Sequence, residues 1–254
     1  MKKNFFTKNT SLYSQIIFNL CKRDIWDMSD SISTENFKRL VSWEELLLKK
    51  ISKQTEKTRE YFVANTIFRP FSEISKSYES LVNISIYLNF KVSKKYMHEV
   101  TQGSYITYTI ENYLNEAYIL HQRLTKYLGT IKNAYKTKEI EDKIKTLLKK
   151  VNHTFNQINE IRWEHVHEIR FTDKRTDRIS HFELLTKVED KEFVRNLTLP
   201  LSIMYTDTVK YWSEQIDKSL DSILELTDIY FESLIKILQD PNNKDDIIYP
   251  NDIS

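Results

Sequence analysis

Residues 138–170 read KEIEDKIKTLLKKVNHTFNQINEIRWEHVHEIR. Apolar residues recur at Ile144, Leu148, Val151, Phe155 and Ile158, three or four positions apart. That spacing puts them on one face of an α-helix, whereas a strand would alternate every second residue. The same face continues through Arg162 and His165 to Ile169. A long helix with one apolar stripe is stable only when the stripe is covered by other helices. The stretch therefore predicts an all-α fold, an antiparallel helical bundle. Composition agrees, because only two Gly and four Pro among 254 residues leave few breakers and favour long helices.

The same period recurs on both sides. Downstream, Pro200 marks a helix start, and Trp212, Ile216, Leu220, Ile223, Leu226, Tyr230, Leu234 and Ile237 form a stripe within 201–239. Asp240-Pro241 ends it, and the tail to Ser254 reads as polar and loosely ordered. Residues 171–200 read as a loop. Upstream, Ile106, Ile110, Tyr113, Leu114, Ala117, His121, Leu124 and Leu128 mark a helix over 104–135, with Gly129 capping it or lying inside it. Phe71, Ile74, Tyr78, Leu81, Val82, Ser85 and Leu88 mark another over 71–90, with a loop over 91–103. Ser42-x-x-Glu45 reads as a capping box opening a helix over 43–68 that Pro70 ends or kinks. Before it, Tyr13, Ile16, Ile17 and Leu20 suit a short amphipathic helix. The expected organisation is one domain of residues 1–254, with a core over 104–239 and N-terminal helices from 1–103 packed on it.

Several function classes are excluded. Net charge is only +2, so any nucleic-acid footprint must be a local basic patch. One cysteine, Cys21, rules out an internal disulfide framework, fits a reducing cytoplasm and reads as a packing residue. The N-terminus lacks the apolar core of a signal peptide, and no run approaches the roughly 20 apolar residues that span a bilayer. A cytoplasmic protein with no membrane partner is expected. With Gly103 and Gly129 alone, neither a P-loop nor a dinucleotide fingerprint can be written.

Chemistry concentrates in Asn159–Arg170, where two histidines, two arginines and three glutamates fall within one short stretch. Histidine exchanges protons near neutral pH, and a neighbouring arginine stays cationic and can clamp a phosphate. A metal site is the first reading, since Glu164-x-x-His167 matches the Glu-x-x-His unit of di-iron bundles. Those need a second unit, and none of His98, His121, His153 and His181 has Glu three residues before it. No metal or other cofactor is expected. His121 reads as a core histidine satisfied by a neighbour. Arg170, Lys174, Arg175 and Arg178 form the basic segment best suited to RNA phosphates.

Arg162-x-x-x-x-His167 resembles the Arg-x4–6-His signature of the HEPN family of helical proteins. Leu114-Asn115-Glu116-x-x-Ile119-Leu120-x-x-Arg123-Leu124 and Val166-His167-Glu168 are also similar to bacterial members. The resemblance implies a metal-independent endoribonuclease of toxin–antitoxin or antiviral systems, acting as a homodimer whose two motifs meet, or with a partner protein. His167 would serve as general acid or base at the ribose 2′-hydroxyl, and Arg162 would stabilise phosphate charge. A 2′,3′-cyclic phosphate would result. Two features depart from the pattern. Trp163 stands where family members often carry a polar residue. On a straight helix positions 162 and 167 also point about 140° apart, while His165 is about 60° from Arg162 and can share the role. The alternative is a non-catalytic HEPN-like module for dimeric interaction or nucleotide binding.

Overall fold

The computed structural model of the protein describes residues 4–24, 59–96, 99–167, 173–187 and 190–250. Its helices are α1 (Lys8–Asp24), α2 (Arg59–Phe62), α3 (Arg69–Tyr87), α4 (Gln102–Tyr135), α5 (Lys138–His167), α6 (Lys174–Leu185) and α7 (Lys191–Leu238). A π-helical segment, Val63–Phe68, joins α2 to α3, and a 3-10 turn occupies Lys94–Tyr96. After α7, strands β1 (Gln239–Asp240) and β2 (Asn243–Ile247) pair antiparallel. The fold is all-α and bundle-like. Among the described residues, no helix is long and apolar enough to cross a membrane.

The chain divides into two compact units. The first comprises Met1–Phe5, Lys76–Gln122 and Lys150–Leu226. Its core is the stripes read above: Tyr78 and Leu81 of α3, Ile106, Ile110 and Ala117 of α4, Val151 and Phe155 of α5, and Ile216, Leu220 and Ile223 of α7 are buried. Within it α4 and α5 run antiparallel, with His121 opposite Asn152 and Asn115 opposite Arg162. α6 and α7 form a second antiparallel pair, because Arg175 meets Tyr211 while Glu183 meets Tyr205. Gly103 is what lets α6 approach α4. A Cβ there would lie 2.4 Å from Ile179 Cγ2 and 2.8 Å from Glu183 Oε2.

The second unit comprises Phe6–Ser75, Arg123–Lys149 and Thr227–Ser254. Tyr13, Tyr127, Tyr230, Phe71 and Phe231 are buried there, and the Tyr13 and Tyr127 hydroxyls hydrogen-bond each other. The turn from α4 to α5 takes only Lys136 and Thr137. Lys136 has φ 48°, and its N–H bonds the Lys132 carbonyl at 3.1 Å, a left-handed helix cap built without glycine. Thr137 Oγ1 then accepts from the Ile140 N–H at 3.3 Å as N-cap of α5. Asp228, on α7, accepts from Thr7 Oγ1, the Asn9 N–H and Asn9 Nδ2 at the start of α1.

Three expectations are corrected, and the two alternatives left open at Pro70 and Gly129 are decided. Residues 174–185 are helical rather than looped, because Asp173 is an extended N-cap whose N–H bonds Thr176 Oγ1 at 3.3 Å. α7 starts at Lys191, and Pro200 lies inside it. Asp190 Oδ1 caps that start through the Glu192 and Phe193 N–H groups, both at 3.0 Å. Burial of Leu197 and Leu201 on either side then offsets the one helical bond that Pro200 cannot donate. Pro70 does not end its helix. The π segment before it shifts the bonding pattern, with the Arg69 N–H bonding Ala64 five residues back. The described part of the tail is paired as β1–β2 through Pro241 and Asn242, with Ile247 buried. Gly129 lies inside α4 and is not its cap. The Ser42–Glu45 capping box lies outside the described residues.

Candidate functional site

Arg162 is the described member of the motif. It lies on α5, and the antiparallel pairing brings it to Asn115 and Tyr118 of α4. Its Nε–H donates to Asn115 Oδ1 at 3.2 Å, and its guanidinium carbon sits 3.9 Å from the centre of the Tyr118 ring. Arginine carries five N–H donors. The two contacts fix the side chain through Nε and one ring face, and among the described residues the terminal amino groups make no ion pair. A guanidinium held this way is oriented before a ligand arrives. Trp163, the next residue, is 55% exposed.

α5 stays α-helical through His167, so the spacing of about 140° between positions 162 and 167 applies. The side chains of His165 and His167, and all of Arg170, lie outside the described residues. His121 is buried, stacks on Phe155 with ring centres 5.2 Å apart, and has both ring nitrogens engaged. Nε2 is 2.9 Å from Asn152 Oδ1 and Nδ1 is 3.3 Å from Asn159 Nδ2. It serves the core, as expected from its place on the stripe.

Lys174, Arg175 and Arg178 come together along α6. They line a cleft of about 620 Å³, and α7 supplies the other wall with Asp207, Lys210, Tyr211 and Glu214. The charged lining is four cations against two carboxylates. Arg175 lies over Tyr211, with its guanidinium carbon 3.8 Å from the ring centre. Below it, Trp212 Nε1–H donates to Asp173 Oδ2 at 2.9 Å and ties the start of α6 to α7. At the other end of α6, Glu183 accepts from Thr101 Oγ1 at 2.6 Å, the Gly103 N–H at 2.8 Å and Tyr205 O–H at 2.7 Å. A carboxylate there faces the positive N-terminus of α4. Burial, and then the bond to Glu183, pushes the Tyr205 phenol above its usual range, so it stays a donor. The cleft walls are thus anchored at both ends.

The α7 residues of this cleft are absent from the sequence reading, which found only the α6 wall. Their one signal is Lys210-Tyr211-Trp212, a cation followed by two aromatics on an otherwise core-facing helix. Among the described residues no group of three or more His, Cys, Asp or Glu side chains is arranged to hold a metal ion. No protein-family model, curated protein sequence or solved structure matches the chain.

Proposed function

We propose that the protein is an endoribonuclease of HEPN type that cleaves RNA without a metal ion, in a cytoplasmic setting. The observation that supports this reading is Arg162, positioned by Asn115 and Tyr118, with its terminal amino groups in no ion pair among the described residues. The cleft formed by Lys174, Arg175, Arg178 and Lys210 supports it as a path for the RNA backbone. His167, or His165, transfers the proton of the ribose 2′-hydroxyl, and Arg162 stabilises charge on the phosphate. The separation of positions 162 and 167 around α5 is the reason for placing the active unit in a homodimer, where the second copy supplies the missing half of each site.

Trp163 favours a second reading. An exposed indole beside Arg162 suits a contact surface, and a non-catalytic dimeric or nucleotide-binding module would use it so.

Cleavage of end-labelled RNA in EDTA tests the choice. The unsubstituted chain should leave a 2′,3′-cyclic phosphate, and His167→Ala and Arg162→Ala should each lower the rate by about 100-fold or more. Cleavage undiminished in His167→Ala would move the proton-transfer role to His165. A chain that binds RNA but never cuts it would support the binding module.

A further inference from the structure

We propose that the cleft between α6 and α7 selects a guanine base of single-stranded RNA. The inference rests on the RNA reading above and names the base which that site would choose.

A phosphate-binding groove has no evident use for acids, yet Asp207 and Glu214 both line this one. They sit four residues before and three residues after Tyr211 on α7, each one helical turn from it. Against an RNA backbone alone they would only repel. They contribute to binding if they meet hydrogen-bond donors, and RNA carries its ring and amino donors on the bases.

Carboxylates accept through two adjacent oxygens and donate nothing. Guanine is the one RNA base with two adjacent donors on its pairing edge, N1–H and the 2-amino group. Adenine and cytosine offer an amino group beside an acceptor nitrogen. Uracil offers one N–H between two carbonyl oxygens, which a carboxylate repels. An acidic wall therefore favours guanine and disfavours uracil.

The same cleft holds a surface on which a base can lie. Arg175 covers Tyr211 at 3.8 Å, and the residue is exposed. Bases stack on guanidinium planes as they do on aromatic rings. Lys174, Arg178 and Lys210 remain for the flanking phosphates, and among the described residues none of the three is in an ion pair. The volume, about 620 Å³, lies within the roughly 300–1,000 Å³ typical of small-ligand sites.

The test is equilibrium binding of three fluorescent RNAs to the full-length His167→Ala chain in EDTA at fixed salt. One is an oligouridine, the second carries a single central guanosine, and the third a single central inosine, which lacks the 2-amino group. Binding of the guanosine probe should be about tenfold tighter than that of oligouridine, with inosine between them. Asp207→Ala combined with Glu214→Ala should erase that difference without weakening oligouridine. Lys174→Ala and Arg178→Ala should weaken all three probes together. Equal binding of the guanosine and uridine probes overturns the inference and leaves the RNA reading standing. So does a preference that survives the double alanine substitution. If no probe binds, both fall. Guanosine-selective binding by a chain that never cleaves RNA sustains the inference and removes only the catalytic claim.

Discussion

Gly103 and Gly129 lie on the same helix, α4, and ask opposite things of a side chain. Among the described residues, no atom beyond its own stretch of helix lies within 4 Å of a Cβ built at Gly129, so the glycine there only adds freedom to the unfolded chain. Gly129→Ala should raise stability by about 1 kcal/mol. At Gly103 a Cβ meets Ile179 and Glu183, and Gly103→Ala should cost about 1–3 kcal/mol by pushing α6 from its seat. Urea unfolding of the two variants checks both signs, and a shift in the same direction would overturn the assignment. Arg162 was legible in the sequence as the point where an apolar stripe turns ionisable. Asn115 and Tyr118, which hold it, were not, because they belong to a different helix and pairing register cannot be read from either helix alone. Asp207, Lys210 and Tyr211 were hidden for the same reason: a cleft with two walls has a local signature only where the charges cluster on one of them.

Three of the described helix starts lean on carboxylates. Asp190 begins α7 from its own loop, whereas α1 and α4 receive theirs from Asp228 and Glu183, far along the sequence. Local reading finds a cap only when the acid is nearby and the motif familiar. That is why α6 was missed: Asp173-x-x-Thr176 lacks the usual Glu or Gln, and Thr176 and Ile179 alone are its buried residues. The β1–β2 pair was missed because Asn243-Lys244-Asp245-Asp246 looks like solvent-facing tail. By contrast, the long stripes of α4, α5 and α7 were read nearly whole, since five or more regularly spaced apolar residues outweigh any single breaker. Pro200 shows the limit of breaker rules. Pro200→Ala restores one backbone donor inside α7, and the gain should be about 1–3 kcal/mol after the unfolded chain's added freedom is subtracted. Thermal unfolding followed by circular dichroism measures it; a loss of stability would mean that Pro200 fixes a bend the fold requires.

For the molecule as a whole, the alkaline limit of stability is set by buried phenols. Burial raises the pKa of Tyr13, Tyr127, Tyr135 and Tyr230 above the usual value of about 10. A group whose folded pKa is raised lends stability that is intact below its unfolded pKa and is lost as pH climbs through the interval to the folded one. Stability should therefore hold up to about pH 10 and fall above it. Tyrosinate absorbance gives the check. Tyr13, Tyr127, Tyr135 and Tyr230 should ionise only as helical circular dichroism disappears. Ionisation of these four with the helices intact would contradict this. The link of Lys136 and Thr137 has a consequence of another kind, for the order in which the chain acquires its structure. Loop-closure entropy grows with the length of chain between two partners. α5 can meet α4 across two residues, and α7 can meet α6 across five. The contact of Asn9 with Asp228 spans 219. The chain thus carries its own timetable: two hairpins that close early, and an N-terminal helix that must wait for the far end of the sequence before its cap exists.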